Sequence, residues 1–279
     1  MRFRLLGSAA GKTVPRPFCQ CRVCEYAKRH GGRDLRTRTG MQVFLDDDDP
    51  EPRYQVDLPP DTGHHMIRDR ISMCRLEHLL VTHDDEDHFD PSYLRYRKIV
   101  LSDRSALRPV TIYGSPLIRE RIASQLQNFD RFKLLFQEVR AFVPLRMGEI
   151  EVFPLLGYHS ASTLNYILAH GGRSVLVAWD TGYWREETWA AVGAFRLDAV
   201  LMECTLLGPG EIPADSKHLN FATMKQMRER LTDLGCITPA TPFVAAHIGD
   251  NGQLTYDEAV AFASPHGITV SYDGFELSV

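Results

Sequence analysis

Four times along this chain a short apolar run ends in a histidine or an aspartate. Residues 76–81 lead to His83, residues 151–156 to His159, residues 175–179 to Asp180 and residues 243–246 to His247. Runs of this length between polar or glycine-rich segments read as buried strands. One such ending is more often a satisfied polar residue leaving a strand. Repeated four times, it demands a fold that gathers neighbouring strand tips, each carrying a side chain able to bind a metal. The first tip is the densest, because VTHDDEDHFD (residues 81–90) holds two histidines and five acidic residues. Carboxylates crowded this closely repel one another, so the segment is either loosely solvated or gathered around cations.

The remaining elements fit the same plan. Strands are expected over residues 2–6, 41–45, 54–56, 110–113, 150–153, 166–168, 174–178, 199–202, 243–246 and 268–271, with a closing hairpin at Asp273-Gly274 that ends in residues 275–279. Helices are expected after Ser115-Pro116, where proline takes the first helical position, after Asn220, and from Thr255, which has Glu258 at capping-box spacing. The four aspartates within residues 46–52 lack the alternating ligands and glycine of a calcium loop and read as a solvated turn. This order of elements suits one α/β domain over residues 1–279, two sheets with helices outside, and a cysteine-containing insertion near residues 15–40.

Composition narrows the function. With 44% hydrophobic and 24% charged residues the chain can bury a core, and a net charge of -4 gives no footprint for extended nucleic acid. The opening MRFRLLGSAAGK is too briefly apolar for a secretory leader and no run reaches membrane-spanning length, so a cytoplasmic protein with no membrane partner is expected. Three of the six cysteines cluster at Cys19, Cys21 and Cys24, while Cys74, Cys204 and Cys236 are scattered. In a reducing compartment that spacing favours a metal clip over a disulfide framework.

His83, Asp85, Asp87 and His88 present imidazole and carboxylate groups within six residues, enough for two metals to share. With His159, Asp180 and His247 downstream, the pattern resembles the metallo-β-lactamase superfamily of binuclear hydrolases, whose signature is His-x-His-x-Asp-His followed by a lone His, a bridging Asp and a final His. The resemblance runs over nearly the whole chain. It implies a four-layer αββα sandwich and two divalent ions at the active site, one held by His83, Asp85 and His159 and the other by Asp87, His88 and His247, with Asp180 bridging. Asp57 matches the family's earlier strand-end aspartate, which orients the site without binding metal. Asp85 stands where the signature has its second histidine. A carboxylate there hardens the donor set and favours manganese or iron relative to zinc; flavodiiron relatives also carry a carboxylate at this place.

Leu6-Gly7-Ser8-Ala9-Ala10-Gly11 and then Cys19-Gln20-Cys21-Arg22-Val23-Cys24 resemble the start of the phosphodiesterase group of the carbon-phosphorus lyase pathway. The resemblance implies a structural zinc on Cys19, Cys21 and Cys24; the family's fourth ligand, a histidine, falls here on Asp250. Ser216-Lys217-His218-Leu219-Asn220 and Tyr272-Asp273-Gly274-Phe275-Glu276-Leu277 resemble the group's later segments. They imply that His218 sits beside the substrate; read without the family, it is equally a residue entering the helix capped by Asn220. The implied activity is hydrolysis of a small phosphodiester, or of a cyclic sugar or nucleotide phosphate, by a metal-bridging hydroxide, with Asp87 and His218 as catalytic residues. Relatives often dimerise, so a homodimer is an expectation too. The alternatives are a lactonase or thioesterase of the same fold, and a non-catalytic metal- or ligand-binding homologue. A glycine-rich first loop with a zinc clip is also shared with a pyrroloquinoline-quinone biosynthesis branch.

Overall fold

Apolar runs that are hydrophobic on every residue, not on alternate ones, need cover on both faces, and the computed structural model supplies it in four layers. It describes residues 1–46, 49, 51–100 and 103–279, so the solvated turn expected over residues 46–52 lies partly outside the described residues. The first sheet comprises β1 (Arg2–Gly7), β2 (Gly40–Phe44), β3 (Tyr54–Val56), β4 (His78–Leu80), β5 (Val110–Gly114) and β6 (Leu134–Glu138), with the C-terminal strand β14 (Glu276–Ser278) along the free edge of β1. The second comprises β7 (Leu145–Met147), β8 (Ile150–Leu156), β9 (Leu164–His170), β10 (Arg173–Ala178), β11 (Ala199–Cys204), β12 (Phe243–Ile248) and β13 (Thr269–Val270). Each sheet is antiparallel at one end and parallel at the other: β3 to β6 run parallel, as do β10 to β13.

Strand alternation divides the core between layers. Val175, Val177 and Leu201 point inward with Phe3, Leu5, Val43 and Val56 of the opposite sheet, whereas Leu176, Ala178, Val200 and Met202 point outward under helices. The outer cover of the second sheet is α4 (Glu186–Val192), α5 (Phe221–Asp233) and α6 (Tyr256–Ala263). On α5, Phe221, Met224, Met227 and Leu231 form the buried stripe, each side chain contributing about 2 kcal/mol of apolar burial. Its start is fixed by reciprocal hydrogen bonds between Asn220 and Thr223, and that of α6 by Thr255 and Glu258. The first sheet is covered by α3 (Pro116–Gln125), through Ile118 and Ile122, and by a 3₁₀ segment, Pro91–Lys98, through Leu94. Two further helices, α1 (Arg22–His30) in the cysteine insertion and α2 (Thr62–Asp69), lie, like α4, beyond what the sequence pattern announced.

One expectation is overturned. The segments flanking Asp273-Gly274 do not form a hairpin, because β13 pairs with β12 in the second sheet while β14 pairs with β1 in the first. Gly274 does adopt the left-handed conformation that a turn favours, with φ at 87°. The Asp273 carboxylate, however, accepts from Ser8, Thr37 and Arg68, which ties the crossing between sheets to the first loop. Among the described residues no helix is long and apolar enough to cross a membrane.

Candidate metal centre

The tips of β4, β8, β10 and β12 meet at one end of the sandwich. His83 Nε2 lies 3.1 Å from Asp180 Oδ2 and 3.4 Å from Asp85 Oδ2, and the same Asp85 oxygen is 3.3 Å from His159 Nε2. His88 Nε2 lies 2.8 Å from Asp180 Oδ2, 3.2 Å from Asp87 Oδ2 and 3.1 Å from His247 Nε2. These are two donor sets, His83-Asp85-His159-Asp180 and Asp87-His88-Asp180-His247, each with ligand atoms within 4.8 Å of one another and with Asp180 common to both.

The hydrogen bonds behind the imidazoles fix what their front nitrogens can do. His88 Nδ1 donates to the buried Asp57 carboxylate at 2.7 Å, which leaves Nε2 with its lone pair. Thr82 Oγ1 donates to Asp57 and so accepts from His83 Nδ1 at 3.0 Å; Thr205 Oγ1 donates to the His247 carbonyl and accepts from His247 Nδ1 at 2.9 Å. Three Nε2 lone pairs therefore converge with carboxylate oxygens. The lone pairs of His88 and His247 face each other across 3.1 Å, an arrangement that repels unless a cation or a proton stands between them. His83 Nε2 and Asp180 Oδ1 are buried without a hydrogen bond of acceptable geometry. This set of imidazole and carboxylate donors fits divalent ions.

Without ions, protons take up the same role. Burial opposes charging His88, but Asp57, Asp180 and Asp87 outweigh it and hold its pKa well above the ordinary value; His83 is raised in the same way by Asp180 and Asp85 against burial and the charge of His88. Asp85 is held below the usual carboxylate range chiefly by His159 and His83, and Asp87 by His247 and His88 in spite of burial. Asp57, Asp180 and His247 also carry positive φ values of 60°, 42° and 49°, a conformation costly for a non-glycine residue. The strand ends spend local stability on aiming these three side chains.

His218 arrives on the loop before α5. Its Nδ1 lies 3.0 Å from Glu203 Oε1 and 3.3 Å from Asp180 Oδ1, and these carboxylates, against the effect of burial, push its pKa up to about 10. Glu203 escaped the sequence reading. It is fully buried at the end of β11 and also accepts from the backbone of Thr181, Thr205 and Leu219 at 2.6, 3.0 and 3.1 Å. Its signal was present, since residues 199–202 form one more apolar run leading to an acidic residue. Thr82 and Thr205 were also missed, and no pattern marks a threonine as the acceptor behind a histidine. A cavity of about 250 Å³ opens over both donor sets, lined also by Lys12, His218 and Asn251. Gly11 of the first loop lies against Asp87, where a Cβ would sit 3.4 Å from Oδ2.

Near this cavity, Cys19, Cys21, Cys24 and Asp250 also bring their ligand atoms within 4.8 Å of one another, a second place that fits a metal. Cys21 begins α1 and Cys24 lies in its first turn, so a helix start orients two of the three thiols. Burial pushes the Cys24 thiol up to about 12; for Cys21 burial is outweighed by hydrogen bonds from Cys24, Gln253 and Cys19, and the thiol falls to about 7. Arg16 grips both oxygens of Asp250, with Nε 3.1 Å from Oδ2. Asp250 therefore reaches the thiols as the buried end of a half-buried ion pair.

Residues 53–248 match the family described as "Beta-lactamase superfamily domain". The chain belongs to the metallo-β-lactamase superfamily. A coenzyme PQQ synthesis protein B from Methylobacterium nodulans is 26% identical over 193 residues, a match spanning 62% of this chain and 63% of that relative's length. Among solved structures, a diphosphatase of the PhnP family superposes with a TM-score of 0.75 at 19% identity, covering 100% of this chain and 97% of that one. Zinc-bound PqqB from Methylobacterium extorquens superposes with a TM-score of 0.72 at 19% identity, with both chains fully covered (100% each). At such identities the superpositions speak for the fold.

Proposed function

We propose that this superfamily member is a metal-dependent phosphodiesterase acting on small diesters or cyclic phosphates. The observation carrying the proposal is the pair of donor sets joined through Asp180, with His218 at their rim. Bound divalent ions supply Lewis acidity toward a phosphoryl oxygen and a water of lowered pKa. The chain's own residues do the rest. His83, Asp85, His159, Asp87, His88, His247 and Asp180 would hold the ions, while Asp57, Thr82 and Thr205 fix the tautomers that leave Nε2 of His88, His83 and His247 facing inward. Glu203 and Asp180 favour the protonated form of His218. That leaves its Nε2–H to stabilise phosphoryl charge or to donate to a departing alkoxide. Support for phosphorus over carbon as the reacting centre comes from the likeness to a PhnP-family diphosphatase.

The test is elemental analysis of the purified protein, followed by assays with bis-p-nitrophenyl phosphate and a lactone after reconstitution with manganese, iron or zinc. Diester turnover is expected to exceed lactone turnover. His88→Ala, which removes a ligand and exposes the Asp57 carboxylate, should lose at least about 10³-fold in kcat/KM, whereas His170→Ala, on the exposed end of β9, should not. A lactone preference, or full activity in His88→Ala, overturns the proposal.

A further inference from the structure

Building on the phosphodiesterase reading, we propose that the substrate carries a second anionic group, held beside Tyr158 by Arg185 and Lys217. Tyr158 immediately precedes His159 of the metal centre. The Arg185 guanidinium carbon lies 4.5 Å from the centroid of its ring and Lys217 Nζ lies 3.7 Å from it. Two cations brought to one ring repel each other, and a cation–π contact at an exposed site is too weak to offset much of that. Surface arginines elsewhere take carboxylates, as Arg22 does with Glu258 and Arg230 with Glu186. Arg185 and Lys217 form no ion pair among those of the described residues, although the chain has more acidic than basic side chains. Their charge faces a cavity of about 560 Å³, in which Glu187 is the acidic side chain on the wall. His159 lines both this cavity and the one over the metal ligands, so the two are neighbours across one ligand.

The three loops that build the place are pinned together. The Tyr158 backbone N–H donates to Thr181 Oγ1 at 2.9 Å, and Gly182 N–H donates to the Tyr158 carbonyl at 2.9 Å, which locks the loop after β8 to the loop after β10. A Cβ on Gly182 would fall 1.9 Å from the Ser216 carbonyl oxygen, so only glycine lets the loop before α5 settle there. That loop sends Lys217 to Tyr158 while the next residue, His218, reaches Asp180 and Glu203. Catalytic histidine and anion-binding lysine are thus set by one backbone. An arginine fork and an ammonium together suit a phosphate monoester or a carboxylate.

The experiment compares three diesters with the same p-nitrophenol leaving group whose other arm is ethyl, 2-carboxyethyl or 2-phosphoethyl, using the metal-reconstituted full chain. The wild type is expected to prefer an anionic arm in kcat/KM, chiefly through KM, and whichever of the two is preferred names the group. Arg185→Ala and Lys217→Ala should each cut that preference over the ethyl arm by about tenfold. In parallel, calorimetric titration with inorganic phosphate should give two sites per chain in the wild type and one in the Arg185→Ala/Lys217→Ala double variant. No preference in the wild type, a preference unchanged in the variants, or equal phosphate stoichiometry in both proteins overturns the inference. Loss of a phosphate site in the double variant of a protein that hydrolyses none of the diesters supports the anion site and removes the phosphodiesterase reading instead.

Discussion

Asp57 shows that much of the centre is decided behind the donor atoms. Its carboxylate is fully buried, accepts from Thr82 N at 2.8 Å and from His88 Nδ1 at 2.7 Å, and sits on strained backbone. Asp57→Asn keeps the size but offers one acceptor oxygen to three donors, the backbone N–H and hydroxyl of Thr82 and His88 Nδ1. Metal affinity, read by competition with a chelator, should fall about 10–100-fold; unchanged affinity would mean that packing alone orients His88. Asp85 invites the reverse experiment, since it is the one place where a carboxylate stands in the signature's imidazole position. Asp85→His removes a negative charge and softens the set, so the variant should take up more zinc relative to manganese from an equimolar supply, as elemental analysis would show. Among the candidate ligands, His83, His159, Asp180 and His247 were legible because each follows an apolar run, and Asp85, Asp87 and His88 because they crowd beside the first of them. Glu203 was not read, because an acid after a strand is commonplace and only the coordinates reveal that four groups converge on it.

At the scale of elements, strands were easier to read than helices. Residues 175–178, 199–202 and 243–246 are covered on both sides and therefore continuously apolar, a pattern visible in one dimension. The helix α2 begins Thr62-Gly63-His64-His65 and has no side-chain cap, so neither propensity nor capping chemistry announced it. The edge strand β6 has only Leu134 buried, which leaves no alternation to detect. The mistaken hairpin arose because turn chemistry is local, whereas the choice of sheet is made by partners far away in sequence. α2 also holds the clearest pH sensor of stability. His65 is fully buried, its Nε2 hydrogen-bonds Thr37 Oγ1 at 2.7 Å, and burial, aided by Arg68, lowers its pKa to about 4. An unfolded chain takes this proton near pH 6.5 and the folded one only near 4, so stability present at neutral pH is lost as pH falls through that window, by about 3 kcal/mol for a shift of this size. His65→Gln keeps a donor for Thr37 and cannot titrate. Denaturant midpoints between pH 7 and 4 should decline less steeply in the variant, and parallel curves would assign the acid sensitivity elsewhere.

Across the whole molecule, the centre is a clasp between the two sheets. The first sheet contributes His83, Asp85, Asp87 and His88 from the segment after β4, and the second contributes His159, Asp180 and His247 from the ends of β8, β10 and β12. Each donor set draws on both sheets, so an ion in either one joins them at this end of the sandwich. Between the sheets the apolar layer runs on independently, through Phe3, Val43, Tyr166 and Val177 among others, and needs no ion to stay closed. Metal removal should therefore loosen one end of the molecule and leave the fold intact. A ligand that binds only the folded state stabilises it by about 4 kcal/mol when present at a thousand times its dissociation constant. The chelated protein is accordingly expected to unfold cooperatively at a lower temperature. Hydrogen exchange should quicken around residues 82–90, 157–160, 180–182 and 247–250, while the amides of β2 and β9 in the middle of the sheets keep their protection. Uniform loss of protection would make the ions part of the folding core; no change at the strand tips would mean that Asp57, Thr82, Thr205 and Glu203 hold the clasp shut by themselves.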